Sequence, residues 1–131
     1  MSKLVLYFDL GSQPSRALLS LLKAGNIEYE PKKVDMMKGE HKSPEILALN
    51  PVGTLPFLTV DGMPMFESAA ILRYLAQAYP SLKQYYPDDL MVRQMTDAAL
   101  DFNGTVMRPM FIAQIRPRFI KMITKAEFLT D

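Results

Sequence analysis

Gly53-Thr-Leu-Pro-Phe-Leu-Thr-Val-Asp-Gly-Met-Pro-Met-Phe-Glu-Ser68 compresses a Leu-Pro turn, two β-prone runs, an Asp-Gly pair and a helix start into one stretch. Phe57 to Val60 and Met63 to Phe66 flank Asp61-Gly62, the strongest short-range signal for a two-residue hairpin. Leu55-Pro56 is an X-Pro bond, for which the cis form costs only about 0.5 to 1 kcal/mol. A cis bond would turn the Leu55 N–H and C=O outward, where they could pair with an extended peptide. Glu67-Ser68 opens an apolar-periodic run, and a helix N-terminus there favours a carboxylate. The stretch has the character of a ligand site built mostly from backbone.

Upstream of it, Leu4 to Phe8 is a near-continuous apolar run, as expected of a strand buried on both faces. Gly11-Ser12-Gln13-Pro14 punctuates the run, and Pro14 suits the first turn of a helix. Leu18, Leu19, Leu21 and Leu22 give that helix a broad apolar face up to about Ala24, where Gly25-Asn26 stops it. Ile27 to Val34 alternates like a second strand, so the chain begins as a βαβ unit with a parallel pair. A polar loop from Met36 to Lys42, a short helix from Ser43-Pro44 to Leu49, and Asn50-Pro-Val-Gly53 lead into the opening stretch. After the hairpin, Ile71, Leu72, Leu75 and Ala78 recur at helical spacing, predicting a helix from about Glu67 to Ala78.

Tyr79-Pro80 to Asp88-Asp89 breaks the periodicity and reads as a linker. From Leu90 to about Met107 a long helix is expected, kinked near Arg108-Pro109 because proline removes a donor and clashes with the preceding turn. Arg116-Pro117 begins or interrupts another segment.

At 131 residues and 49% hydrophobic, the chain suffices for one domain, or one domain plus part of another, with a genuine core. A net charge of +1 provides no field that would make nucleic acid or an anionic membrane the main partner. The chain has no cysteine, which excludes disulfides, thiolate metal sites and a cysteine nucleophile, so any thiol chemistry must come from a ligand. A single histidine makes a metal site poorly supported. The N-terminal apolar run is too short for a signal peptide and no run reaches membrane-spanning length, so a cytoplasmic protein is expected. Arg108, Arg116, Arg118, Lys121 and Lys125 follow one another without an intervening acid, and a solvated face explains them better than a nucleic-acid patch. The ten methionines are dispersed, as core filler would be.

Ser12-Gln-Pro-Ser-Arg-Ala17, Val34-Asp with Lys38-Gly-Glu-His-Lys42, Asn50-Pro51, Leu55-Pro56 and Glu67-Ser68 together resemble a theta-class glutathione S-transferase in order and spacing. The resemblance is dense over residues 4 to 79 and weaker through Tyr86-Pro-Asp-Asp-Leu90 and beyond. It implies an α/β fold: a thioredoxin-like βαβ-α-ββα glutathione-binding domain over residues 1–79, a linker over 80–90, and a partial all-helical C-terminal domain over 91–131. A typical member carries a complete helical domain, so the chain is expected to be a fragment, a truncated isoform or a protein of different purpose.

Each candidate site residue has a plain structural alternative. Ser12 sits between a strand end and Pro14, where a serine can simply cap the helix; the resemblance implies instead that it is catalytic, donating a hydrogen bond to the glutathione thiolate. Tyr7 is the rival, because other classes of the superfamily use a tyrosine near the first strand's end; the Ser-Gln-Pro-Ser-Arg match assigns Tyr7 to packing and leaves Ser15 on the helix face. His41 and Lys42 could be solvated loop residues, whereas the resemblance gives them the glycine carboxylate of glutathione. Thr54, Leu55 and Pro56 could be a hairpin lead-in, and the family pattern gives them the cysteinyl unit, bound through backbone groups in the manner of an added strand. Glu67 and Ser68 could be an ordinary acidic helix start; in the family they hold the γ-glutamyl end. Arg108 aligns with an arginine that theta enzymes place near the site.

Two functions follow. The first is a glutathione transferase with glutathione as co-substrate and a small hydrophobic electrophile or peroxide as second substrate, working as a homodimer if the remaining helices are present. The second is a noncatalytic glutathione-transferase-like module that mediates protein contacts, or an inactive truncated isoform. A thioredoxin-type oxidoreductase is excluded by the lack of Cys-x-x-Cys.

Overall fold

The computed structural model describes residues 2–115, 117, 118 and 121. It divides into two compact units, the first ending at Pro87 and the second beginning at Asp88. In the first, β1 (Leu4–Phe8), α1 (Gln13–Ala24), β2 (Glu30–Lys33), α2 (Pro44–Leu49), β3 (Phe57–Val60), β4 (Met63–Met65) and α3 (Ser68–Ala78) follow in the order expected from sequence. The four strands form one mixed sheet in the order β2-β1-β3-β4. β1 runs parallel to β2 with Val5 opposite Glu30, and antiparallel to β3 with Tyr7 opposite Phe57.

Strand alternation splits the apolar residues between two faces. Leu4, Leu6 and Leu58 join Leu18 and Leu22 of α1 and Ile71 and Leu75 of α3 in the main core. Val34, Leu55 and Phe57 form a second cluster, against which Tyr7, Ile46 and Leu49 pack. The Tyr7 ring lies on the Phe57 ring at 4.2 Å between centroids and 7° between planes, which accords with the packing role expected for Tyr7. Ser15 lies on the buried face of α1.

The hairpin turn is the one expected from Asp61-Gly62. Both residues have positive φ, 51° and 86°, as a type I′ turn demands. Both sheet edges are short and carry a proline, Pro31 on β2 and Pro64 on β4, an arrangement that discourages further strand pairing.

The second strand is shorter than the alternation from Ile27 suggests. Asn26 adopts φ 50° and closes α1 as a Schellman motif, with Asn26 N–H bonding to Lys23 C=O and Ile27 N–H to Leu22 C=O. Ile27 is thereby committed to the core beside Leu22, and the ladder starts only at Glu30. Gly25 itself has φ −83°, so its glycine has a different cause: a Cβ there would lie 2.7 Å from Leu82 Cδ2 and 3.0 Å from Ile27 Cδ1. Leu82 comes from Pro80–Tyr85, which forms a 3-10 helix rather than an open linker, and both Leu82 and Tyr86 are buried in the main core. Ser81 Oγ also donates to the Gly25 carbonyl at 2.9 Å.

The second unit contains α4 (Leu90–Phe102), a π-helical turn over Asn103–Met107 and α5 (Arg108–Gln114). Asp89 caps α4 by accepting from Met91 and Val92 N–H. The irregularity expected near Arg108-Pro109 takes the form of that π turn: Arg108 N–H reaches back to Asn103 C=O, and Pro109 follows with no donor. Among the described residues the methionines divide differently from the core filler expected: Met36 and Met65 pack, partly buried, against the two clusters, whereas Met37, Met63, Met91, Met95, Met107 and Met110 are exposed. Arg116 and Lys125 lie outside the described residues, as does the course of the segment expected at Arg116-Pro117.

Because Leu82 is held in the core, Gly25→Ala overpacks it and is expected to destabilise the first unit by about 1–3 kcal/mol. A lower urea midpoint with an unchanged slope is the predicted result.

Candidate functional site

The strand directions bring the expected site residues of the first unit to one end of the sheet. β1 and β2 end there, at Phe8 and Lys33, and release the loops carrying Ser12 and His41-Lys42. β3 begins there after Leu55-Pro56, and β4 ends there before Glu67-Ser68.

Ser12 occupies the position just before α1, yet its side chain makes no capping bond. The hydroxyl instead donates to the Leu55 carbonyl at 3.2 Å, in a buried contact between residues 43 apart. The plain alternative of helix capping is thus set aside by geometry. The Ser12 backbone is fixed separately: its N–H donates to the Asp9 carbonyl at 3.0 Å, and its C=O accepts the first helical bond from Arg16 at 3.2 Å. Leu55-Pro56 is cis, as the opening stretch allows, and both residues are buried while Thr54 is exposed.

His41 and Lys42 end a 3-10 turn, Glu40–Lys42, in a loop tied by its own acids. Asp35 accepts from Met37 and Lys38 N–H at 2.9 and 3.1 Å, and Glu40 accepts from Asp35 N–H at 2.7 Å. The Lys38 and Met37 N–H groups, with the Lys38 ammonium at 3.6 Å, hold the Asp35 carboxyl below the usual aspartate range; burial opposes them. His41 Nδ1 is shielded from solvent and has no hydrogen-bond partner among the described residues, an unmet capacity that a ligand could satisfy. The Lys42 ammonium donates to the Val52 carbonyl at 3.0 Å.

Asn50 supports this arrangement, and sequence reasoning did not single it out as a functional residue. Its side chain is fully buried, donates to the Thr54 carbonyl at 2.9 Å and accepts from Val52 N–H at 3.2 Å. It therefore stiffens both the carbonyl that holds Lys42 and the approach to Leu55. Gly53 is required here twice over: its φ is 61°, and a Cβ would meet Lys42 Nζ and Leu47 Cδ2, each at 2.9 Å. The Asn-Pro-Val-Gly run signalled a turn, but only the fold shows what the turn holds.

Glu67 precedes α3 with φ 69° and ψ 101°, an uncommon conformation for a side-chain-bearing residue. The Glu67 side chain makes no capping bond to the first N–H groups of α3, donors of the kind that suit an anion. Ser68 is half-buried and Glu67 exposed. Arg108 begins α5 in the second unit, where it is half-buried. Among the described residues, no group of histidine and carboxylates could hold a metal ion, and no helix is long and apolar enough to cross a membrane.

Residues 2–77 match the family model for the glutathione S-transferase N-terminal domain, and the chain belongs to the glutathione S-transferase family. It is 40% identical over 108 residues to human glutathione S-transferase theta-2, covering 82% of this chain and 44% of the relative. It is 38% identical over 109 residues to glutathione S-transferase T1 of Arabidopsis thaliana, covering 82% and 44%. Among solved structures, an epsilon-class enzyme from the housefly superposes with a TM-score of 0.84 at 38% identity, covering 91% of this chain and 55% of that one. Human theta-2 in complex with glutathione superposes with a TM-score of 0.79 at 40% identity, covering 82% and 44%. The chain spans about half the length of these relatives.

Two outcomes test the polar supports. Asn50→Ala leaves the Thr54 carbonyl and Val52 N–H without side-chain partners and is expected to cost about 1–3 kcal/mol, read as a lowered denaturation midpoint. The Asp35 clasp is predicted to be complete above the ordinary aspartate value of about 3.9 and to be lost as pH falls through the lower folded value. Amide exchange at Met37 and Lys38, corrected for the intrinsic effect of pH, should then rise together on acidification and stay flat between pH 5 and 7.

Proposed function

We propose that this chain forms the glutathione-binding part of a theta-like glutathione transferase in which the Ser12 hydroxyl stabilises the glutathione thiolate. The observation that carries this proposal is the Ser12 hydroxyl, buried, freed from capping and aimed at the Leu55 carbonyl. A carbonyl oxygen accepts two hydrogen bonds, so Leu55 can hold Ser12 in waiting and still receive a peptide N–H. Leu55 N–H and C=O then pair with the cysteinyl unit as an added strand would, with Thr54 and Pro56 shaping the turn. His41 and Lys42 take the glycine carboxylate. The α3 N-terminus and Ser68 take the γ-glutamyl carboxylate, and Glu67 its ammonium.

The chemistry asks for a modest stabilisation. A thiol of the cysteine type has a pKa of about 8.5, and lowering it by about two units requires about 2.7 kcal/mol in favour of the thiolate. One charge-assisted hydrogen bond of about 1.5–3 kcal/mol, helped by the end of α1, is of that size. The thiolate attacks a small hydrophobic electrophile, forming the C–S bond as the leaving group departs with its electron pair, or attacks a peroxide oxygen, breaking the O–O bond to give an alcohol and a sulfenic acid that a second glutathione converts to the disulfide and water. Arg108, homodimer formation and a cytoplasmic location belong to the same proposal.

A noncatalytic interaction module is the second possibility, favoured by the exposed apolar residues of α4 and α5, among them Met91, Met95, Phe102, Met110 and Phe111. It predicts little turnover and partner binding that free glutathione does not displace.

Ser12→Ala is expected to change glutathione affinity only slightly and to lower conjugation of chlorodinitrobenzene about 100-fold, the equivalent of 2.7 kcal/mol. Full activity in the alanine variant would overturn the role of Ser12.

A further inference from the structure

Asp9 lies one residue past β1 and is acceptor-only when ionised. Its two carboxylate oxygens are used by two different loops. Oδ1 accepts from Gly11 N–H at 2.7 Å, inside the loop that leads to Ser12. Oδ2 accepts from Met36 N–H at 2.8 Å, inside the loop that leads to His41 and Lys42. Both distances are short, as expected when the acceptor is charged. Its backbone is engaged as well: the carbonyl accepts from Ser12 N–H at 3.0 Å, and the N–H donates to the buried Ser15 hydroxyl at 3.4 Å. Among the described residues Asp9 has no ion-pair partner, and two backbone N–H groups donate to its carboxylate. A side chain on Gly11 would come within 3.2 Å of Oδ1, so the glycine is matched to the approach of the carboxylate.

Few other ties join the two loops. The Ser12 loop is otherwise fixed locally, with Arg16 Nη1 donating to the Leu10 carbonyl at 2.7 Å. The His41-Lys42 loop is fixed by Asp35 and Glu40 within itself and by Val52 beyond it. Val34 N–H to Phe8 C=O, at 2.9 Å, is the last backbone bond between the strands that feed them, and Asp9 to Met36 is the next link outward.

We propose that Asp9 is a positioning residue whose carboxylate couples the two loops, so that the Ser12 hydroxyl and the His41-Lys42 pair are held in register for one tripeptide. This rests on the proposed glutathione site. It goes further by making thiol activation depend on a carboxylate that touches neither the thiol nor the peptide.

The test uses the 131-residue chain with Asp9→Ala, which removes both acceptors, and Asp9→Asn, which keeps the shape and one acceptor and so guards against misfolding of the first. Without glutathione, amide exchange at Gly11 and Met36 should rise about tenfold or more together in Asp9→Ala, and at one of the two in Asp9→Asn. Unchanged exchange at Met36 in both variants would overturn the coupling whether or not the chain binds glutathione. With glutathione bound, the thiolate's ultraviolet absorption is titrated against pH. Its midpoint in Asp9→Asn should move up toward that of Ser12→Ala, and adding Asp9→Asn to Ser12→Ala should move it no further. Affinity for glutathione should fall in Asp9→Asn while affinity for γ-glutamylcysteine, which lacks the glycine carboxylate, stays constant. An unaltered midpoint and an unaltered affinity ratio would reduce Asp9 to a structural residue. A parent chain that binds no glutathione, or leaves its thiol unshifted, would overturn the proposed function instead, with the exchange data still deciding whether Asp9 joins the loops.

Discussion

The antiparallel pairing of β1 with β3, in which Tyr7 faces Phe57 across the ladder, sets the geometry on which the candidate site depends. β1 ends where β3 begins, so the chain leaving Phe8 toward Ser12 meets the chain entering through Leu55-Pro56. The Ser12 hydroxyl reaches the Leu55 carbonyl only because of that register. A slip of one residue would send Phe57 to the other face, break its stacking on Tyr7 and empty the second apolar cluster. The parallel partner β2 adds the His41-Lys42 loop at the same end, and the hairpin adds Glu67-Ser68.

Around that end of the sheet, backbone N–H groups are held by side-chain oxygens. Asp9, Asp35, Glu40 and Asn50 each accept from the backbone, and between them they fix the loops that carry Ser12, His41, Lys42 and Leu55. An irregular loop must satisfy its polar groups without a ladder, and an ionised carboxylate does so with short bonds and few rotatable atoms. Among the described residues, His41 Nδ1 is a buried side-chain atom with no partner, and the Glu67 side chain leaves the first N–H groups of α3 uncapped. The proposed function draws on this division between satisfied scaffold and site.

Much of this was legible in the sequence where local chemistry decides. Asp61-Gly62 specified its turn through positive φ, Pro14 suited the first turn of α1, and Ser43 before Pro44 marked the start of α2. Errors arose where a residue's partner lies far along the chain. Gly25-Asn26 stops α1 as its sequence suggests, with Asn26 in the left-handed conformation, but that Gly25 also makes room for Leu82 had no local signal. Tyr79 to Asp89 looked like a linker because three tyrosines and two prolines carry no periodicity, yet burial of Leu82 and Tyr86 folds Pro80–Tyr85 onto the core. Periodicity reports faces of an element, and a single anchoring side chain has no period.

By itself the sequence determined the order of strands and helices, the turn types and the exclusion of cysteine chemistry. The first two depend on backbone preferences within a few residues, and the last on composition alone. The Ser12 to Leu55 contact, the Asp9 bridge to Met36, 27 residues away, and the clasp of Lys42 by Val52 were decided only by the tertiary structure. Serine, aspartate and lysine can each serve as cap, turn former or solvated charge. Which of these they become depends on the acceptor or donor that strand pairing brings within 3 Å or so, and that partner is not encoded beside them.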